Sequence, residues 1–475
     1  MTKKTINIIL ILTGFIGFVA LFWWLNTDPT KDLTVNLEGA DNRGKGNAFV
    51  QEEVNIGEFF NEYTDDYVEL NETWPNFRGE DYDNISKSPV KLLDKFEPGG
   101  PKILWSVELG EGHSGAAIWK GLAYILDYNE EERADRLRCF SLLDGTEQWS
   151  RGYDVAVKRN HGMSRTIPAL TEEYIVTIGP KCHVMCLDRE SGDFRWGLDI
   201  VKEYQNEIPF WYTGQCPLID NNVAILAAGG TKMMVAVDCE TGEKLWETPN
   251  PNGWKMSHSS VMPYTFGGRK MYVYSAIGGI LGIAADGPDA GSILWETNAW
   301  NHSVVAPSPV CMPDGKIFMT AGYGAGSMVL QLSESNGSFS VAAIDEYTPK
   351  DGLACEQQTP IFWNGHLFGI LPKDGGALRN QLVCVDPADT KNIVWSSGKE
   401  TRFGLGPYFI ADNKMFILND DGTLTIARPS TTEYIQLDQV KVIEDGHDAW
   451  APFALADGYL LMRDSKTMVC IDLNI

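Results

Sequence analysis

The sequence has no two adjacent cysteines, no Gly-x-Ser-x-Gly turn and no His-Glu-x-x-His run. The last two absences remove the nucleophile elbow of a hydrolase and the zinc helix of a metalloprotease. Positive charge is scarce: 39 Lys and Arg stand against 64 Asp and Glu, a formal net charge of -25. That balance repels a phosphate backbone and no basic stripe reverses it locally, so nucleic acid is not an expected partner. Long apolar runs are missing too, with one exception at the N-terminus. Cysteine is present but odd in number, nine in all. Cys186, Cys384 and Cys470 sit in near-identical contexts, "VMCLD", "LVCVD" and "MVCID", and Cys139 fits the same slot. These read as small buried side chains of strands rather than a disulfide framework. Cys182 and Cys186 flank His183 in "KCHVMC", but no second ligand pair follows, so no metal site is expected.

The exception is "MTKKTINIILILTGFIGFVALFWWLNTD", in which Lys3 and Lys4 precede an uncharged run from Ile6 to Leu25 ending in Trp23, Trp24 and Leu25. The run is long enough to span a bilayer, the leading lysines favour a cytoplasmic N-terminus, and the Trp pair suits the headgroup interface. No small-x-small cleavage site follows it, and no cysteine precedes Cys139 to carry a lipid. The expected organisation is a cytoplasmic stub at 1–5, a signal anchor at 6–25, an acidic stalk at 26–73, a lead-in segment at 74–100 that packs on the body, and the body at 101–475 on the extracytoplasmic, periplasmic side. Within the stalk, "IGEFFNEYTDDYVEL" reads as a short structured piece.

Internal repeats organise the body. "CFSLLDGTEQW", "CLDRESGDFRW", "AVDCETGEKLW" and "AADGPDAGSILW" each carry Gly four residues before Trp, and "VCVDPADTKNIVW" repeats the pattern with Lys391 in the Gly slot. The tryptophans fall at Trp105, Trp149, Trp196, Trp246, Trp295 and Trp395, with steps of 44, 47, 50 and 49 and then a double step of 100. The double step hides "LQLSESNGSFSV", where Gly337 keeps the turn and Val341 replaces the tryptophan. Each unit reads as four short strands, the last two joined by a hairpin that needs glycine at positive φ. A single such unit cannot bury both faces, whereas a ring can. The final unit lacks its outer strand and "PKILWSVELG" at 101–110 is an outer strand with no unit before it, so the two chain ends complete one another. The fold class is therefore all-β, an eight-bladed β-propeller of four-stranded blades preceded by a transmembrane helix. The six tryptophans dock one blade on the next.

The motif "D-x-x-T-G-x-x-x-W", intact in "DCETGEKLW", resembles the pyrroloquinoline-quinone-like (PQQ-like) repeat with its tryptophan-docking turn, over residues 101–475. The lead-in "WPNFRGEDYDNIS" is similar to the "W-P-x-F-R-G" segment ahead of the propeller in many members of that group. The group holds quinoprotein alcohol dehydrogenases and also BamB-like propellers without catalysis. The dehydrogenases are known for a vicinal disulfide, a tryptophan floor and a calcium ion held by Asp, Glu and Asn. This chain has no adjacent cysteines and no calcium cluster assignable by alignment. The resemblance therefore implies a non-catalytic scaffold or binding module of a membrane or envelope complex, with no cofactor. Its alternative is a periplasmic oxidoreductase using PQQ with calcium. "GYGAGS" at 322–327 superficially resembles a dinucleotide loop, but the strand "MVLQL" follows where a helix is required, so it reads as a hairpin turn.

Candidate contact residues come from the segments that feed the inner strands. Those strands begin around Pro168, Pro217, Pro263, Pro309, Pro360, Pro407 and Pro452, with Ala116 in the slot in the first blade. His113 precedes its marker by three residues, His161 by seven, His258 by five, His302 by seven, Arg402 by five and His447 by five. Trp211, Trp254, Trp300 and Trp450 lie in the same segments, and the docking turn does not explain them. Because every such segment lands at one end of the ring, these ten side chains form a candidate funnel for a polar ring-shaped ligand or a partner's loop. The funnel tryptophans are the only hint of carbohydrate binding. Histidine and tryptophan also fill space at crowded loop junctions, and the sequence leaves both roles open. No catalytic residue is expected.

Overall fold

The protein is described as a computed structural model covering residues 2–26 and 53–475. Lys3–Asn26 is one α-helix whose apolar side chains are all exposed. At about 1.5 Å per residue its 24 residues exceed the ~30 Å of a bilayer's hydrocarbon core. The first half of the acidic segment, 27–52, lies outside the described residues.

Eight antiparallel sheets follow in chain order, each running from an inner to an outer strand. Blades 2 to 7 begin at Ala169–Leu170, Leu218–Asp220, Met262–Phe266, Val310–Cys311, Ile361–Trp363 and Tyr408–Ala411 and end at Phe194–Asp199, Lys244–Pro249, Ile293–Thr297, Ser338–Tyr347, Asp389–Ser396 and Ile435–Lys441. Blade 1 comprises Ala117–Trp119, Leu122–Asn129, Ala134–Ser141 and Glu147–Asp154. Blade 8 joins Ala454–Ala456, Tyr459–Arg463 and Thr467–Asp472 to Lys102–Glu108, in register Trp105↔Cys470, so the early strand closes the ring. The strands alternate between two neighbouring blades in what they touch, which is why so many are buried along their whole length.

The docking turn works through close approach. The carboxylate of Asp238 accepts from the backbone N–H of Glu240 and Thr241 and from the Thr241 hydroxyl, which folds the Asp-x-x-Thr-Gly corner. Gly242 then takes φ 74°, and a Cβ there would sit 2.9 Å from the indole of Trp196, one blade back. Trp196 Nε1 completes the dock by donating to the Cys239 carbonyl at 2.9 Å. Trp105 repeats this on blade 1, under Gly145 and with a bond to the Leu142 carbonyl. Glycine is thus required twice, by its own backbone and by its neighbour's ring. Blade 5 departs from the pattern: Gly337 has nothing within 4 Å of its would-be Cβ, and its outer hairpin, Gly326–Ser335 with Ser338–Tyr347, has the longest pair of strands in the ring.

The segment before the propeller becomes part of it. Phe59–Glu62 adds antiparallel to the outer edge of blade 1, with Phe60 packed on Trp149 and under the Arg151 guanidinium. Thr73–Trp74 adds to the inner edge of the same blade, at the end where its inner strand exits. From there the lead-in crosses the channel. The Pro75 carbonyl accepts from Leu170 N–H of blade 2, Ile85 bridges Ile410 of blade 7, and Trp74 meets Phe409 edge-on at 5.8 Å. Arg78, fully buried, donates to the carbonyls of Tyr82, Thr359 and Pro360. Burial pushes its guanidinium down to about 10, only partly offset by the nearby Asp83 carboxylate. The lead-in therefore covers the exit end of the inner strands, with a recess of its own between Glu72, Trp74, Asp81, Lys87 and Leu455, while the entry end, where the inner strands begin, lies away from it.

All nine cysteines are free thiols, eight of them buried. Cys182 bonds Thr213, Cys186 bonds the Cys239 carbonyl, and His183 packs on Tyr153, so the "KCHVMC" side chains face different neighbours.

Candidate functional site

The entry end holds two neighbouring aromatic groups, linked where Asn160 Nδ2 donates to the Phe210 carbonyl at 3.3 Å. In the first, His113 stacks on Trp450 with ring centres 5.0 Å apart, and His161 stands edge-on to both at 5.8 and 5.3 Å. Trp450 is oriented by its Nε1 bond to Asp420 at 2.8 Å. His113 is buried and its Nδ1 has no hydrogen-bond partner. In the second, Trp211 stacks on Tyr323 at 5.6 Å and contacts Phe210 and His258. These residues come from the entrances of blades 8, 1 and 2 for the first group, and from the entrances of blades 3 and 4 and a loop of blade 5 for the second.

Arg165 joins the groups. Its guanidinium donates to the carbonyls of Asn160, His161 and Gly162, and its charge lowers the proton affinity of both His113 and His258. Burial is the larger cause in each case; it drives His113 well below the usual histidine range and His258 down to about 3. Both imidazoles are therefore neutral at pH 7, and the buried Arg463 adds to the effect of Arg165 at His113. The backbone is under tension at the same place: His161, Tyr212, Tyr323 and Asp448 all adopt φ between 51° and 69° without being glycine. Such conformations cost energy and persist where the surroundings hold them, which is a common property of binding sites.

Not every expected residue reaches the funnel. Trp300 is fully buried between blades 4 and 5 with Tyr264, Val305 and Met328, and His302 packs on its edge at 4.3 Å near Glu346 of the outer strand. This pair is packed between blades 4 and 5 rather than against the other entrance residues. Trp254 covers Gly278 and Gly279, where a Cβ would lie 2.4 Å from the indole. Arg402 bonds the carbonyls of Lys399 and Arg379 in loops of blade 6. His447 is exposed and pairs with Asp448 at 3.2 Å, which places it on the rim rather than the wall. The placement of these residues corrects the ten-member funnel to His113, His161, His258, Trp211 and Trp450.

Two members went unread in the sequence. Arg165 precedes Pro168 by three residues, the spacing that singled out His113, so the same rule would have found it. Tyr323 sits in "GYGAGS", which is indeed a turn between strands, and only the three-dimensional path of that turn brings its ring onto Trp211.

The profile of the family described as outer membrane protein assembly factor BamB matches residues 133–375, just over half of the chain. The chain belongs to this family. No curated protein matches it. Among solved structures it is similar to BamB from Moraxella catarrhalis, at 11% identity and TM-score 0.51 over 78% of this chain and 99% of that one. A europium-containing methanol dehydrogenase aligns at 11% identity and TM-score 0.57, covering 83% of this chain and 90% of that one. The computationally designed Ika8 protein aligns at 12% identity and TM-score 0.50, covering 78% and 100%. At these identities the structural likenesses speak for the fold and not for chemistry.

The funnel was tested for the quinone and metal used by the dehydrogenases that share the repeat. Among the described residues no three His, Cys, Asp or Glu side chains converge to hold a metal ion, and no cysteines are adjacent in the chain. The groups at the funnel are imidazole, indole, phenol, the guanidinium groups of Arg165 and Arg463, and carboxylates already committed, Asp420 to Trp450, Asp448 to His447 and Glu111 to Arg159 and the Gly162 N–H. These residues do not fit a quinone and calcium pair, and no reaction step is derived through them.

Proposed function

We propose that this chain is a non-catalytic, membrane-anchored propeller that works as a binding scaffold of an envelope complex, with the entry-end funnel as its docking point. The observation that carries the reading is the asymmetry of the ring, covered by the lead-in with Trp74 and Arg78 at one end and carrying the aromatic groups at the other. Membership of the BamB family supports the scaffold role, and the exposed apolar helix supports anchoring, with the propeller on the periplasmic side. The funnel suits a partner's loop that brings a flat apolar side chain to Trp450 or Trp211.

The test uses the full chain extracted in mild detergent. It is expected to migrate with a heterologous membrane protein, and Trp450→Ala combined with Trp211→Ala should release that partner without unfolding the ring. Migration of the native protein alone, or an assembly that ignores the double variant, would overturn the proposal.

A further inference from the structure

The outer strand of blade 5 differs from its seven counterparts in a way that bears on binding. The other outer strands carry charge at shorter intervals, as in "FRWGLD", "KLWETP" and "IQLDQVK". Blade 5 presents Ser338–Tyr347, "SFSVAAIDEY", in which the first charge is Asp345, and the ten residues from Ser335 to Ile344 are uncharged. Phe339 and Val341 lean inward on the cluster that holds Tyr264 and Trp295, while Ser338, Ser340, Ala342, Ala343 and Ile344 face solvent. Ile344 is 52% exposed. A long, flat, uncharged edge strand is a template for another strand, and proteins that leave such an edge bare normally interrupt it with lysine, proline or a bulge. Here the bulge between Val329 and Leu330 lies at the Asp345 end and leaves the stretch from Ser338 to Ala343 in regular register.

The same molecule shows that an outer edge of this ring accepts an added strand. Phe59–Glu62 pairs antiparallel with Glu147–Asp154 on blade 1, its phenylalanines lying against Arg136 and Arg151. No equivalent segment covers blade 5 among the described residues.

We infer that the edge at Ser338–Ala343 is a second docking site, which takes an extended segment of a partner protein as a fifth strand. Main-chain hydrogen bonds supply the affinity in this mode and alternate side chains supply the selectivity. The occupant is an antiparallel strand of small or β-branched residues, because the exposed face from Ser338 to Ala343 offers small Ser and Ala side chains to pack against. A basic residue belongs beside the exposed Glu346, since Asp345 is already paired with Lys391 at 2.6 Å. A second copy of this chain is the poorer occupant, since each copy has a net charge of -25 and the pair would have to bring those fields together.

The experiment places a photo-crosslinking benzophenone residue at Ala342 of the full chain in mild detergent. The probe is the peptide acetyl-Lys-Thr-Val-Thr-Val-Thr-Lys-amide, with a version N-methylated at alternate residues as control. The expected result is labelling by the first peptide only, with slower hydrogen exchange over 338–343. A Ser340→Lys variant is expected to lower labelling by at least about tenfold. Because Ser340 is exposed, this variant should keep the tryptophan fluorescence and melting temperature of the parent. Equal labelling by both peptides, indifference to Ser340→Lys, or crosslinks only between two copies of the chain would overturn the inference. Trp450→Ala should leave peptide labelling unchanged, so failure here and failure of the funnel reading are separable.

Discussion

At the exit end of the channel Trp74 is 3% exposed and the hydrogen bonds of Arg78 run to three carbonyls, whereas at the entry end His161 is exposed and Trp450 is half-buried. Both ends combine an indole with a guanidinium, yet the surroundings assign them different work. The lead-in is packed on inner strands of several blades and turns its polar groups inward to main-chain partners. The funnel leaves the His161 ring exposed and Trp450 and Trp211 in contact with other rings, while the His113 Nδ1 is buried without a hydrogen-bond partner. Identical chemistry is thus structural where it is enclosed and available where one side is open.

Substitutions can break this contrast. Trp74→Ala is expected to have the largest effect, a stability loss of about 3–5 kcal/mol in urea unfolding, because it leaves a cavity against Phe409. Arg78→Met should cost about 3 kcal/mol by the same measurement, since it strips donors from the carbonyls of Tyr82, Thr359 and Pro360. If either variant were as stable as the parent but lost partner binding, the division of labour between the two ends would be reversed.

Acid sharpens the contrast. His258 is held down to about 3 in the folded protein, so between pH 6.5 and 3 the unfolded chain takes up a proton that the folded chain refuses. Stability at the funnel end therefore falls as pH drops through that window, and His258→Asn should flatten the fall in urea midpoints between pH 7 and 5. Asp135, buried beside Tyr153 and raised to about 7, acts in the opposite sense: its contribution is present below pH 3.8 and is lost as pH rises through about 7. Asp135→Asn should accordingly lessen the decline between pH 5 and 8. Smaller still, Trp450→Ala should cost about 1 kcal/mol while abolishing docking, measured by co-migration from membranes. Arg402→Ala, at a site outside the funnel, is expected to stay within about 0.5 kcal/mol of the parent and to leave docking unchanged.

The ring itself was readable in advance because each blade repeats a local rule. An Asp-x-x-Thr-Gly corner followed by Trp states a turn type, a positive φ and a docking partner within a few residues, and the recurrence of that rule counts the blades. The funnel was legible only in part. Proline offsets located the entrance segments correctly, but an offset along the chain says nothing about which neighbours a side chain meets, so His113 and His302 looked alike although one stacks on Trp450 and the other lies near Glu346. Tyr323 was hidden for the complementary reason, since its turn joins two strands of blade 5 and its partner Trp211 belongs to the entrance of blade 3.

By itself, then, the amino-acid order determined the blade count, the ring closure through Trp105 and Cys470, and the apolar helix, because periodicity and turn chemistry are local properties. Tertiary structure alone decided that the lead-in covers the exit end, that Arg165 rather than Arg402 belongs to the funnel, and that Trp300 is core. Those outcomes depend on which residues from distant blades meet at the axis, and burial and hydrogen-bond satisfaction, which set their roles, exist only once the ring has closed.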